Sequence, residues 1–236
     1  MTHSERNRHL AVLLPALVLP TVAAFVYFVL AKQSHIAQWL YVGTKVFEVV
    51  WPLFAVGVIL RQRPLLKLGS WRQHWRSVPL GAVIGLAIVA VMVLWMRSPL
   101  SWMIERGAPA VRAKVAALGF ADSFIALAVF ITFAHSLMEE VYWRWFAFGY
   151  LRRIVSPAKA HLIAAFAFTG HHVIVTSQFF PLPFALFLSF CVGIGGLIWS
   201  GLYQRQGTLA GAWISHLLVD AGLMWVGWKL INLPAV

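Results

Sequence analysis

Seven runs of mostly apolar residues divide this chain, each about as long as or longer than the roughly 20 residues that a helix needs to cross a bilayer. They fall at about 9–31, 36–60, 79–96, 119–150, 158–177, 180–201 and 207–231. Backbone polar groups in hydrocarbon must be satisfied within their own segment, so runs of this length are expected as helices. The expected fold class is all-α, a polytopic transmembrane helical bundle of about seven spans. Composition agrees, with 61% hydrophobic and 11% charged residues over 236 positions. A soluble domain carries roughly 25% charged residues, so this chain lacks the polar surface it would need. Soluble, disordered and disulfide-stapled secreted classes are excluded. The single cysteine, Cys191, lies in an apolar run and is expected to be a buried, inert thiol. The first run resembles a signal peptide, with Arg6 and Arg8 before it and Thr21-Val22-Ala23 within it. It continues to Leu30, so an uncleaved anchor is expected.

Charge is lopsided, with 19 Lys and Arg against 7 Asp and Glu. In a soluble chain that balance would point to nucleic acid. Here the cations lie mostly between apolar runs, so the expected partner is the lipid bilayer and no nucleic acid. Alternating spans place Arg6, Arg8, Arg61, Arg63, Lys67, Arg72, Arg76, Arg152, Arg153, Lys159 and Arg205 on one face. Lys32, Arg97, Arg106, Arg112, Lys114 and Lys229 fall on the other. The richer face is expected to be cytoplasmic, with the N-terminus inside, in a plasma or inner membrane. Segment 61–78 is basic, carries Trp71 and Trp75, and reads as an interfacial stretch on anionic lipid. Segment 97–118 is too polar to span and reads as an outer interfacial helix or a lid. The pairs Gly81/Gly85 and Gly207/Gly211 suit close helix packing.

Ionisable groups in hydrocarbon cost about 2.5–3.5 kcal/mol each, so those inside the spans carry the information. Residues four apart on a helix share a face. Glu140 and Arg144 can therefore pair within one helix, and His216 and Asp220 can meet within another. Glu139 lies about 100° round from Glu140 and shares its own face with His135. One carboxylate is thus neutralised by arginine and the other is left for proton work. At 1.5 Å rise per residue, Glu139, His172, His216 and Asp220 lie about 14–21 Å into their spans, at one depth. A polar catalytic cavity at mid-membrane depth is expected. His135 and His171 read as packing residues, and Lys45–Glu48 as a self-neutralising pair that also suits a substrate entrance.

A glutamate with imidazoles can move the protons of water, and a histidine beside an Asp can stabilise an oxyanion. This suits amide hydrolysis without a protein nucleophile. The H-E-x-x-H and G-x-G-D signatures are absent, and no glycine-flanked serine has an evident histidine partner. No metal is assigned, although His135, Glu139, His172 and His216 have zinc-ligand chemistry, so zinc stays open. A relay transporter using Glu139, Glu140 and Asp220 would favour internal repeats, and the sequence contains none that is evident.

Three motifs stand in order on three spans. Glu139-Glu140-x-x-x-Arg144 is followed by Phe168-x-x-x-His172 and then by His216-x-x-x-Asp220. Together they resemble the CPBP family, the CAAX prenyl endopeptidases and bacteriocin-processing or immunity proteins also called the Abi family. The resemblance covers about residues 119–225. It divides the chain into an N-terminal transmembrane region, 1–118, and a catalytic helical core, 119–236. It implies an intramembrane endopeptidase acting on a membrane-linked or lipidated peptide. Glu139 would activate water, His172 would help bind it, and His216 with Asp220 would form the oxyanion site. Glu140, Arg144 and Phe168 would support them. The third motif often ends in Asn, and an ionised Asp220 cannot donate a hydrogen bond, so Asp220 is expected to orient His216. The alternatives are a non-catalytic membrane immunity or binding protein and a metal-dependent membrane peptidase.

Overall fold

The computed structural model describes residues 2–31, 35–62, 70–117 and 119–234. Lys32, Arg63 and Lys67, used above to sort the loops, lie outside the described residues. Among the described residues the chain is helical, without strands. Seven helices are long and apolar enough to span a membrane. They are α1 (His3–Leu30), α2 (Trp39–Ile59), α3 (Trp71–Arg97), α6 (Phe124–Leu151), α7 (Pro157–Ser177), α8 (Leu182–Gln206) and α9 (Ala210–Ile231). Two short helices, α4 (Trp102–Glu105) and α5 (Ala108–Ala117), fill the polar stretch that was not expected to span. The chain is an integral membrane protein.

Local chemistry sets the helix ends. Thr2 and Glu5 form a capping box at the start of α1, each side chain accepting the other's backbone N–H. Ser70 accepts from the Gln73 N–H and starts α3. That cap lets α3 begin at Trp71, where the apolar run alone places the span at 79. Trp71 to Val78 are thus continuous with the helix that carries the apolar run. Gly207 takes φ +66° at the end of α8, a conformation that costs glycine little.

The second half is knitted by close helix contacts. α3 and α9 pack along their length. A Cβ at Gly81 would collide with the Gly211 carbonyl, and one at Gly85 would stand 2.9 Å from the Ser215 carbonyl. Gly81, Gly85 and Gly211 therefore allow the approach, whereas Gly207 terminates a helix. α1 and α2 brace the same core. The Tyr142 hydroxyl donates to the Ala16 carbonyl at 2.7 Å, and the Trp51 indole donates to the Val12 carbonyl at 3.0 Å. Arg153 donates to the Gln62 amide oxygen at 2.6 Å, so the chain segments after α2 and α6 meet at one end of the bundle.

Large apolar side chains such as Leu94, Phe166 and Phe190 face outward, as a hydrocarbon solvent favours. Cys191 corrects an expectation: it is exposed on the outer surface of α8. An apolar run surrounded by lipid has an outer face, so membership of the run does not imply burial within protein.

Candidate active site

The central helix α6 is irregular where the two glutamates stand. Its turns widen to the i+5 pattern at Phe130–His135 and again at Val141–Phe148, with Ser136–Glu140 as α-helix between them. Such widened turns gather at functional sites because they displace side chains from the regular register. Ser136 is buried here, donating to the Thr132 carbonyl at 2.6 Å and accepting from the Trp213 indole at 3.1 Å. These bonds hold the turn that carries Glu139 and Glu140 against α9.

Glu139 and Glu140 are both buried and meet different partners. Glu140 Oε1 stands 3.3 Å from Arg144 Nη1 within α6 and 2.8 Å from His216 Nδ1 on α9. Arg144 is 1% exposed, and its guanidinium lies over the rings of Phe168 at 4.7 Å and Trp199 at 5.0 Å. The cation is thus matched by one carboxylate and two π-faces. Gly196 permits this, since its bare Cα admits Phe168, with a built Cβ only 3.1 Å from the ring. His216 stacks on Trp199 at 4.0 Å between centroids, and the Trp199 indole donates to Ser215 at 3.1 Å. The imidazole plane is therefore fixed by stacking and by a hydrogen bond.

Glu139 faces the histidines. Its Oε1 is 3.7 Å from Nε2 of both His135 and His171, and its Oε2 is 3.7 Å from His216 Nε2. Asp220 Oδ1 is also 3.7 Å from His216 Nε2. The two nitrogens of His216 thus have distinct surroundings. Nδ1 carries a proton to Glu140, and Nε2 looks into a space bounded by Glu139 and Asp220. His172 donates Nδ1–H to the Phe168 carbonyl at 2.9 Å, which leaves its Nε2 lone pair available in the neutral ring. Its ring touches His171 at 4.0 Å and Phe168 at 4.6 Å between centroids.

All seven residues of the three motifs converge on this buried cluster. Three features go beyond the motif reading. His171, read as a packing residue, stacks on Trp143 and presents Nε2 to Glu139. Glu140 makes the short hydrogen bond to His216 Nδ1, whereas Asp220 faces the other nitrogen. Trp199 supplies the stacking face for both Arg144 and His216. His171 had a signal in the sequence, since adjacent residues 100° apart can flank one cavity when a helix edge faces it. Trp199 had none, because its role depends on how α8 meets α9.

Lys45 and Glu48 form the pair expected on α2, with Nζ and Oε2 2.8 Å apart. α2 packs against the Ser136–Glu140 turn, and Phe47 lies 6.4 Å from Tyr142. Glu139, His171 and His172 each offer a ligand atom within 4.8 Å of the other two. Their carboxylate-plus-imidazole donor set is one that zinc accepts.

Residues 121–222 match the family model for the type II CAAX prenyl endopeptidase Rce1-like proteins. The match runs from α6 into α9 and contains all three motifs, which supports the likeness of this helical core to the CPBP/CAAX proteases. Comparison with curated proteins and with solved structures gives no match.

Proposed function

We propose that this chain is a glutamate-dependent intramembrane endopeptidase. Glu139 takes a proton from water, and the resulting hydroxide attacks the carbonyl carbon of the scissile bond. His171 and His172 hold that water from the α7 side. The developing oxyanion is met by Nε2–H of a protonated His216, whose positive charge is balanced by Glu140 and Asp220. Collapse of the tetrahedral species breaks the C–N bond, and Glu139 returns its proton to the leaving amine. The observation that carries the reading is the division of labour between adjacent carboxylates. Glu140 is committed to Arg144 and His216 Nδ1, whereas the ion-pair partners of Glu139 among the described residues are imidazoles at 3.7 Å. That spacing suits groups that share a small polar molecule.

The substrate we infer is a membrane-linked or lipidated peptide, because the site lies among spanning helices. We place the N-terminus in the cytoplasm on the charge asymmetry of the loops. Proteome-wide mapping of protein C-termini in host cells with wild type or Glu139→Ala tests the function. New C-termini that vanish with Glu139→Ala are expected. Identical C-termini at matched expression would favour a non-catalytic immunity or binding protein.

The Glu139, His171 and His172 grouping supports one second reading, a metal-dependent peptidase. In it those three side chains would hold a zinc ion, which would supply Lewis-acid chemistry to the site. Loss of cleavage with a chelator, restored by zinc, would select it.

A further inference from the structure

A second polar site lies away from the glutamates, where α3 starts and α8 ends. A cavity of about 200 Å³ is lined by Ser70, Arg72, Gln73, Arg76, Ser77 and Gln206. Arg72 and Arg76 are exposed and four residues apart, so both guanidinium groups serve one face of α3. No carboxylate lines the cavity, and among the described residues neither arginine has an ion-pair partner. Two cations therefore stand beside one recess with no countercharge among the described residues.

Hydrogen bonds between α3 and the end of α8 shape the recess. Gln73 Nε2 donates to the Gln206 carbonyl at 2.6 Å, and Gln206 Nε2 donates to the Ser77 carbonyl at 3.3 Å. His74 Nδ1 and Thr208 Oγ1 are hydrogen-bonded at 2.5 Å. These bonds tie the first turns of α3 to the α8–α9 connection, beside the Gly81–Gly211 crossing. On the same first turns of α3, Trp71 and Trp75 are 74% and 57% exposed, with ring centroids 5.2 Å apart edge to face. Exposed indoles at the end of a spanning helix favour the level of lipid headgroups. The cavity thus opens where phosphates are concentrated.

We propose that this cavity binds the phosphate of an anionic phospholipid headgroup. Two guanidinium forks match phosphate oxygens, Ser70 and Gln73 border the same space, and Trp71 and Trp75 rest on the neighbouring acyl-glycerol region. The assignment is independent of the proposed chemistry at Glu139.

Native mass spectrometry of the full-length protein in detergent tests it, with phosphatidylglycerol or phosphatidylcholine as the added lipid. Wild type is expected to retain phosphatidylglycerol in preference to phosphatidylcholine. Arg72→Gln/Arg76→Gln is expected to lower that retention about tenfold or more, from the contribution of two basic residues near a headgroup. Arg152→Gln/Lys159→Gln, which removes two cations elsewhere, is expected to leave it unchanged. Arg72→Lys/Arg76→Lys keeps both charges and should bind more weakly than wild type through loss of the forked geometry. Equal retention by wild type and both Arg72/Arg76 variants would overturn the site. Equal retention of the two lipids would overturn the headgroup assignment, as would displacement of the lipid by inorganic phosphate alone.

Discussion

Glu140 accepts a hydrogen bond from His216 Nδ1 at 2.8 Å, across the interface between α6 and α9. The same oxygen lies 3.3 Å from Arg144. This shared carboxylate separates the two neighbouring glutamates chemically. It holds a proton on His216 Nδ1 and turns Nε2 toward Glu139 and Asp220. Removing Glu140 should therefore disturb both the core and the site.

The Arg144 position gives the stability prediction. Arg144→Met leaves Glu140 without its cation in a buried place, a change that costs about 3–5 kcal/mol when one partner of such a pair is removed. Glu140→Gln/Arg144→Met should recover part of that loss, because the buried carboxylate is removed together with its guanidinium. Thermal unfolding in detergent reads both. A double variant less stable than Arg144→Met would contradict the account.

Asp220 and His216 give the oxyanion prediction. His216→Ala should reduce cleavage by about 100-fold, the scale of a lost oxyanion donor. Asp220→Asn should cost less than Asp220→Ala, since the amide can still hydrogen-bond at Nε2 or donate to the oxyanion itself. Wild-type rates for both Asp220 variants would remove Asp220 from the site.

The glycine crossing gives a packing prediction. Gly81→Val would drive its side chain into the Gly211 backbone, so α3 and α9 must separate. A destabilisation of about 1–3 kcal/mol is expected from overpacking of this kind. Gly43→Ala, where a Cβ meets nothing within 4 Å, should be close to neutral by comparison. Equal unfolding midpoints for Gly81→Val and wild type would mean that the close approach is dispensable.

The metal question has its own readout. Glutamate-activated water predicts that a strong chelator leaves the cleavage rate within about twofold of the untreated rate, since the steps invoked are proton transfers. Metal analysis of the purified protein should then find less zinc than protein. Stoichiometric zinc lost together with activity would select the second reading.

Much of the architecture was legible because hydrocarbon enforces simple rules. Apolar runs of span length became α1, α2, α3 and α6 to α9 with modest shifts at the ends. The Glu140–Arg144 and Lys45–Glu48 pairs followed from helical spacing alone and are both formed. Contacts between helices were not legible. The spacing rule placed His216 beside Asp220, but nothing within α9 could reveal that Glu140 takes Nδ1. Spacing on α7 allowed His171 to flank the same cavity as His172, but which carboxylate it meets depends on how α6 packs against α7. The α3 start was misjudged because a capped, polar first turn adds no apolar signal.

The central claim is that Glu139 activates the water that cleaves a membrane peptide. Its most direct test is the initial cleavage rate of purified protein in liposomes, using a substrate identified by C-terminal mapping. Glu139→Gln should lower that rate by about 100-fold or more, the scale of a lost general base, with an unfolding midpoint close to wild type. A Glu139→Gln protein that cleaves within about twofold of wild type would contradict the account.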